Sequence, residues 1–156
     1  MKKVLILACT ALIAVSCATK NNETMNTNEI FPKGQKAEAN FTGTAWVEML
    51  VTDNENFDTQ VYNVTFEPGC RNYWHSHPGG QLLLVTSGEG YYQEQDQPIR
   101  LLRPGDVVEI EPDVIHWHGA TPDSEFVHIG ISTQVSKGPA EWYDPVSDED
   151  YNSYKK

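Results

Sequence analysis

Between Phe41 and Thr133 apolar and polar positions alternate in short runs, each broken by Gly, Pro, Asn or Asp. The runs are Ala45 to Thr52, Val61 to Phe66, Leu82 to Thr86, Gly90 to Glu94, Ile99 to Leu102, Val107 to Ile110 and Phe126 to Ser132. Alternation with period two buries one face of a strand, and strands at this regular spacing predict an antiparallel sandwich or barrel with little room for crossover helices. Arg103-Pro104-Gly105-Asp106 reads as a turn that starts a buried strand, and Ser87-Gly88-Glu89-Gly90 as a hairpin tip. After Gly138 the pattern changes. Ser147 followed by Asp148, Glu149 and Asp150 offers a helix cap with acids in the first turn, so a short terminal helix is expected.

The N-terminus follows a different logic. Met1-Lys2-Lys3 is a positive start, Val4 to Val15 is an apolar run too short to span a bilayer stably, and Ala14-Val15-Ser16-Cys17 closes it with small residues. Residues 1–16 therefore read as an export signal. Cysteine straight after a small residue resembles a bacterial lipobox, in which Cys17 would be lipidated and begin the mature chain. Alanine at position 14, where leucine is usual, leaves an ordinary secreted form as the alternative. The expectation is an exported envelope protein, periplasmic or on the outer membrane, touching lipid only through an anchor at Cys17. Residues 17–35, polar and rich in Asn and Thr up to Asn28, would form a flexible tether, and residues 36–156 a single domain.

Composition narrows the partners. A chain of 156 residues with 39% apolar and 10% aromatic content has room for one packed domain. Acidic residues outnumber basic ones 22 to 11, and the net charge of −11 makes nucleic acid or an anionic membrane surface a poor partner. Cys9 would leave with the signal and Cys17 would carry lipid, so only Cys70 remains and no internal disulfide is available. Cys70 reads as a small buried hydrophobe rather than a nucleophile.

The chemistry concentrates in five histidines: His75 and His77, His116 and His118, and His128. Side chains two apart on a strand share a face, so His75 and His77 can present two imidazoles to one ion while Ser76 points away. Pro78-Gly79-Gly80 then breaks the strand, and the turn can return Gln81 beside the pair. His116 and His118 are again two apart with Trp117 opposite. Both could ligate, or one could ligate while the other moves a proton. In Glu125 to Ile131, Val127, Ile129 and Ile131 share one face and Phe126, His128 and Gly130 the other; if the aliphatic face packs away, His128 opens into the barrel.

The whole pattern resembles the first signature of the cupin superfamily: Gly69, five residues, His75-Ser76-His77, three residues, Gln81, six residues, Gly88. Every spacing fits, with Gln81 in place of the family's glutamate. The second signature is matched more loosely by Gly105, Pro112 and His116, the proline one residue late and Val114 where the family has glycine. Gln81, the run His116-Trp117-His118-Gly119-Ala120 with Pro122, and Val127-His128-Ile129 are similar to a small bacterial cupin group that includes manganese-dependent hydroxynitrile lyases and to cupins associated with carboxymuconolactone-decarboxylase-like domains. The resemblance runs from Phe41 to Trp142. It implies an all-β cupin jelly roll, a double-stranded β-helix barrel. It also implies His75, His77, Gln81 and His116 as metal ligands, with His118 and His128 near the open coordination position as catalytic residues.

On donor type alone Mn, Fe, Co, Ni and Zn all suit three imidazoles and an amide; the resemblance favours Mn or Fe. An amide oxygen leaves the ion its full charge where a glutamate would cancel part of it. A Gln81 site should therefore be the stronger Lewis acid and the weaker trap for the ion. Tyr62, Val64 and Phe66 share a strand face that the resemblance turns into the pocket, where Tyr62 would reduce the volume for substrate yet offer it a hydroxyl.

The function expected is a metal-dependent, lyase-like enzyme on a small carbonyl- or hydroxyl-bearing substrate. The alternatives are a metal-dependent dioxygenase or a non-catalytic metal-bearing module that captures a small molecule. By resemblance the chain forms a homodimer or a higher homo-oligomer.

Overall fold

The computed structural model describes residues 30–52 and 55–155, so the expected signal and Cys17 lie outside the described residues. In chain order the strands are β1 (Gln35–Lys36), β2 (Phe41–Thr42), β3 (Ala45–Val51), β4 (Thr59–Phe66), β5 (Arg71–Asn72), β6 (His75–Ser76) and β7 (Gln81–Gly88). There follow β8 (Gly90–Glu94), β9 (Arg100–Leu102), β10 (Val107–Ile110), β11 (His116–Ala120), β12 (Phe126–Thr133) and β13 (Glu141–Trp142), then helix α1 (Asp148–Tyr151). The architecture is all-β: β3, β4, β7, β8, β9, β10 and β12 sit in the alternating runs and β6 and β11 carry the paired histidines, while the two-residue strands β1, β2, β5 and β13 fall outside the predicted runs.

Two sheets face each other. One runs β1-β3-β4-β12-β7-β10; the other centres on β11, with β8 and then β9 on one side. On its other side lies the interrupted pair β5 and β6, which β2 and β13 extend. From β4 onward the chain passes back and forth: β5 and β6 lie in the second sheet, β7 in the first, β8 and β9 in the second, then β10, β11, β12 and β13 alternate. This winding corrects the expectation at Ser87 to Gly90. Gly88 pairs with Phe126 in one sheet while Gly90 pairs with Ala120 and Leu102 in the other, so the segment is a crossing and no hairpin tip. Gly88 has φ of +72°, and a Cβ there would stand 1.7 Å from the Glu125 carbonyl oxygen, so only glycine fits the bend. The Arg103 to Asp106 turn closes with Asp106 N–H on the Arg103 carbonyl at 2.9 Å and leads into β10 as expected.

Phe66, Leu83, Leu102 and Phe126 are fully buried between the sheets, and this apolar block floors the barrel interior. A second cluster lies outside β11. Alternation turns Trp117 away from its flanking histidines, and Tyr151 and Val146 cover it. The predicted cap forms: Ser147 Oγ accepts the Asp150 N–H at 2.9 Å. Arg71 then pins α1, donating to Asp148 at 2.6 Å and to the Val146 carbonyl while lying over the Tyr151 ring.

The last residues of the expected tether belong to the sheet. Gln35 pairs with Val47, Asn63 Nδ2 donates to the Pro32 carbonyl at 3.0 Å, and the Lys33 ammonium sits 5.1 Å from the Trp46 ring centre. Polar composition alone hid these backbone contacts.

Candidate metal centre

Strand pairing assembles the histidines. His116 on β11 lies opposite His75 on β6, with ring centres 4.1 Å apart. The turn after β6 closes with Gly80 N–H on the His77 carbonyl at 3.0 Å and carries Gln81 across to the facing sheet, not to the next strand of the same sheet. There Gln81 Oε1 lies 3.0 Å from His116 Nε2. His77 stands beside them, its ring 5.2 Å from that of His75. Both members of the second pair also face inward, as alternation predicts. Ligand atoms of His75, His116 and His118 all come within 4.8 Å of one another.

Hydrogen bonds fix which nitrogen each ring offers. His75 Nδ1 lies 3.0 Å from the Tyr73 carbonyl and His116 Nδ1 2.9 Å from the Val114 carbonyl. A carbonyl can only accept, so both Nδ1 atoms carry hydrogen and both Nε2 atoms point a lone pair inward. His116 Nε2 and Gln81 Oε1 thus meet at 3.0 Å as two lone pairs with no proton between them. As placed, Gln81 Nε2 donates to Tyr62 Oη at 2.6 Å and Oε1 faces His116; the reverse rotamer would accept the Tyr62 hydroxyl hydrogen and donate to His116 instead, so Oε1 turns to His116 when an ion lies between them. His77 Nε2 is buried and has no hydrogen-bond partner, while its Nδ1 lies 3.2 Å from Ser132 Oγ. Converging lone pairs, locked second nitrogens and an orphaned buried nitrogen are what a divalent ion would satisfy. His75, His116 and His118 form the cluster that could hold such an ion, with Gln81 Oε1 against His116 and the buried His77 Nε2 left without a partner among the described residues.

His118 is held differently. Asn72 Oδ1 accepts the His118 backbone N–H at 2.9 Å, which turns the Asn72 Nδ2 hydrogens onto the ring, 3.1 Å from Nε2 and 3.3 Å from Nδ1. One ring nitrogen therefore already receives a donor. His118 nonetheless belongs to the nitrogen cluster with His75 and His116. His128 lies behind it, edge-on at 4.8 Å and packed by Phe66 and Phe126. Neither of its nitrogens has a hydrogen-bond partner of good geometry among the described residues. His128 faces the barrel interior, as the strand pattern puts it, but is not among the cavity walls, whereas the His118 ring it packs against is.

Alignment agrees with the geometry. Residues 62–130 match the family described as Cupin domain. The chain is 39% identical over 111 residues to an (R)-mandelonitrile lyase of Granulicella tundricola, a match spanning 71% of this chain and 85% of that one. This chain belongs to the cupins. A crystal structure of a cupin-like protein from Thermotoga maritima shares 59% identity with this cupin, with a TM-score of 0.79 over 81% of this chain and 98% of that one. The DMSP lyase DddQ from Ruegeria pomeroyi, at 17% identity, shares the fold with a TM-score of 0.59 over 74% of this chain and 64% of that one.

A cavity of about 440 Å³ opens over the donor set of this cupin, with Tyr62, Val64, Phe66, His118 and Trp142 among its walls. Val64 and Tyr62 thus stand where the strand pattern puts them. Trp142, brought opposite His75 by β13, stacks on that imidazole at 4.7 Å and remains 41% exposed at the mouth. Burial keeps the imidazoles neutral. It pushes His77 and His128 down to about 4 and His116 to about 3, against the opposing pull of the Val114 carbonyl. His75 and His118 fall well below the usual histidine range, first through burial and then through neighbouring imidazoles.

Asn72 and Ser132 escaped the sequence reading. Ser132 could have been found, since it continues the inward face of Phe126 and His128 in period two. Asn72 is placed by the pairing of β5 with β11, which leaves no local trace.

Proposed function

We propose that this cupin is a metal-dependent lyase that cleaves small hydroxyl-bearing molecules of the cyanohydrin type. His75, His77, Gln81 and His116 would hold a divalent ion, Mn or Fe, and His118 would carry the proton. The observation that supports this most directly is the convergence of the His75, His116 and His118 ligand atoms within 4.8 Å of one another, with Gln81 Oε1 3.0 Å from His116 Nε2. The (R)-mandelonitrile lyase at 39% identity supports the reaction class.

A bound ion would supply Lewis acidity, making the substrate hydroxyl more acidic. The protein's part is to receive that hydrogen and return it. His118 is neutral through burial and lines the cavity, so it can take the hydroxyl proton, for which the substrate competes with one Asn72 hydrogen. As the oxygen pair closes a carbonyl, the bond to the cyano carbon breaks with its electrons, and the same imidazolium protonates the departing cyanide. The products are a carbonyl compound and hydrogen cyanide. Val64 and Phe66 keep the cavity wall apolar, and His128 backs the His118 ring as a positioning residue.

The test begins with metal content by mass spectrometry on protein purified without affinity tag or added metal, beside His75→Ala/His77→Ala. Near-stoichiometric Mn or Fe in the wild type, absent from the variant, is expected. Mandelonitrile should then yield benzaldehyde, and His118→Ala should lower the rate at least about a hundredfold with metal retained. Retained metal with an unchanged rate would remove His118 from the chemistry.

A further inference from the structure

A row of hydrogen bonds runs beside the donor set, and its two ends have fixed polarity. At one end Gln81 Nε2 donates to Tyr62 Oη at 2.6 Å. At the other, His77 Nδ1 lies 3.2 Å from Ser132 Oγ, and with Nε2 given to the ion, Nδ1 must carry the hydrogen and donate. Between these ends stand two hydroxyls, Tyr62 Oη and Ser132 Oγ, 2.9 Å apart. Each hydroxyl has one hydrogen, and the bond joining them consumes one of the two. Both receive a donor from outside, so the second hydrogen has no acceptor within the row. It belongs to Ser132 if Tyr62 donates across the pair, and to Tyr62 if Ser132 does. Both residues line the cavity.

The fold makes room for this pair. Gly130 on β12 lies directly opposite Tyr62 on β4, and a Cβ at Gly130 would stand 2.2 Å from Tyr62 Cε2. Glycine weakens a strand interior and here admits the phenol ring flat across β12. The hydroxyl thereby reaches Ser132, two residues along.

We propose that the Tyr62 and Ser132 hydroxyls form an acceptor-recognition subsite whose one spare hydrogen bonds an anionic oxygen or nitrogen of the ligand held at the metal. This rests on the metal reading above, because the ion fixes both the His77 tautomer and the Gln81 amide, whose Oε1 it would bind. The ligand class is a small molecule that keeps a lone pair beside its metal-bound atom, such as an alkoxide, carboxylate or pseudohalide. Ligands that show only N–H or C–H there gain nothing from the pair.

The experiment uses the full chain loaded with Co(II), with azide and imidazole titrated separately and followed in the visible spectrum. Bound azide keeps lone pairs, whereas bound imidazole presents N–H. Tyr62→Phe/Ser132→Ala is expected to weaken azide about tenfold or more and to leave imidazole unchanged, at equal metal content. Each single variant retains one hydroxyl hydrogen and should lose less than the double. An azide affinity unchanged in the double variant overturns the proposal, as does equal weakening of azide and imidazole, which would make the lost contact one of shape. A wild-type chain that takes up no ion overturns the metal reading and this one together.

Discussion

Gln81 concentrates the chemistry of the site in one side chain: its Oε1 faces His116 Nε2 and its Nε2 binds Tyr62. A carboxylate has no hydrogen for Tyr62, so Gln81→Glu would reverse that bond, draw the phenol hydrogen toward itself and add a negative charge to the ion's shell. The variant should hold Mn or Fe more firmly against a chelator while turning over more slowly, by about tenfold. Competition with EDTA and the turnover number measure the two effects separately, and tighter metal with undiminished turnover would count against the Lewis-acid argument. The glutamine and its spacing from His75 and His77 were legible because one short turn joins them. The partners of those residues were not. Asn72 reaches His118 through strand pairing across the sheet, whereas the Tyr73 and Val114 carbonyls lie only two residues from His75 and His116, and a backbone carbonyl carries no residue type to read.

Among the elements, the longer strands were readable from alternation, as in the buried and half-exposed positions of β7 and β12, whereas β1, β2, β5 and β13 are too short to carry a period. Their connections were not readable. Glycine-bearing bends look alike whether they reverse a strand within a sheet or carry it to the facing one, and this is why Ser87 to Gly90 resembled a hairpin. Helix α1 was signalled by its cap, yet one turn of helix has negligible stability alone. Its anchor is Tyr151, which touches Trp117, lies under Arg71 and donates its hydroxyl to the Ala120 carbonyl at 2.7 Å. Tyr151→Ala should cost about 3 kcal/mol in denaturant unfolding and shift Trp117 fluorescence to the red as water enters. A loss under about 1 kcal/mol would mean that α1 is dispensable to the barrel.

For the molecule as a whole, five buried neutral histidines set an acid limit. Unfolded histidine titrates near about 6.5, whereas His77 and His128 are held down to about 4 and His116 to about 3 in the fold. Below about pH 6.5 the unfolded chain therefore binds protons that the folded chain refuses. Stability is complete above that pH and is lost as pH falls toward 4, by about 1.4 kcal/mol per pH unit for each such histidine. Urea midpoints of the metal-free protein between pH 7.5 and 4.5 should fall in that direction; a flat profile would mean the rings are protonated in the fold. At the other end of the chain, the proposed anchor makes a separate claim. Cys17→Ser should move the protein from the membrane fraction to the soluble one without changing its metal content, and an unchanged distribution would exclude a lipid at that residue.

The back-and-forth winding of the sheets also has a temporal meaning for synthesis. A chain that has emerged only as far as β7 already carries His75, His77 and Gln81, but β6 pairs with β11 and β13, both still to come. Most contacts of the barrel likewise join distant parts of the sequence, the arrangement that folds slowly and late. An ion arriving early would meet three loose donors on an unformed edge. A site built this way would be complete only in the finished barrel, so an ion held by these histidines would report the fold rather than start it.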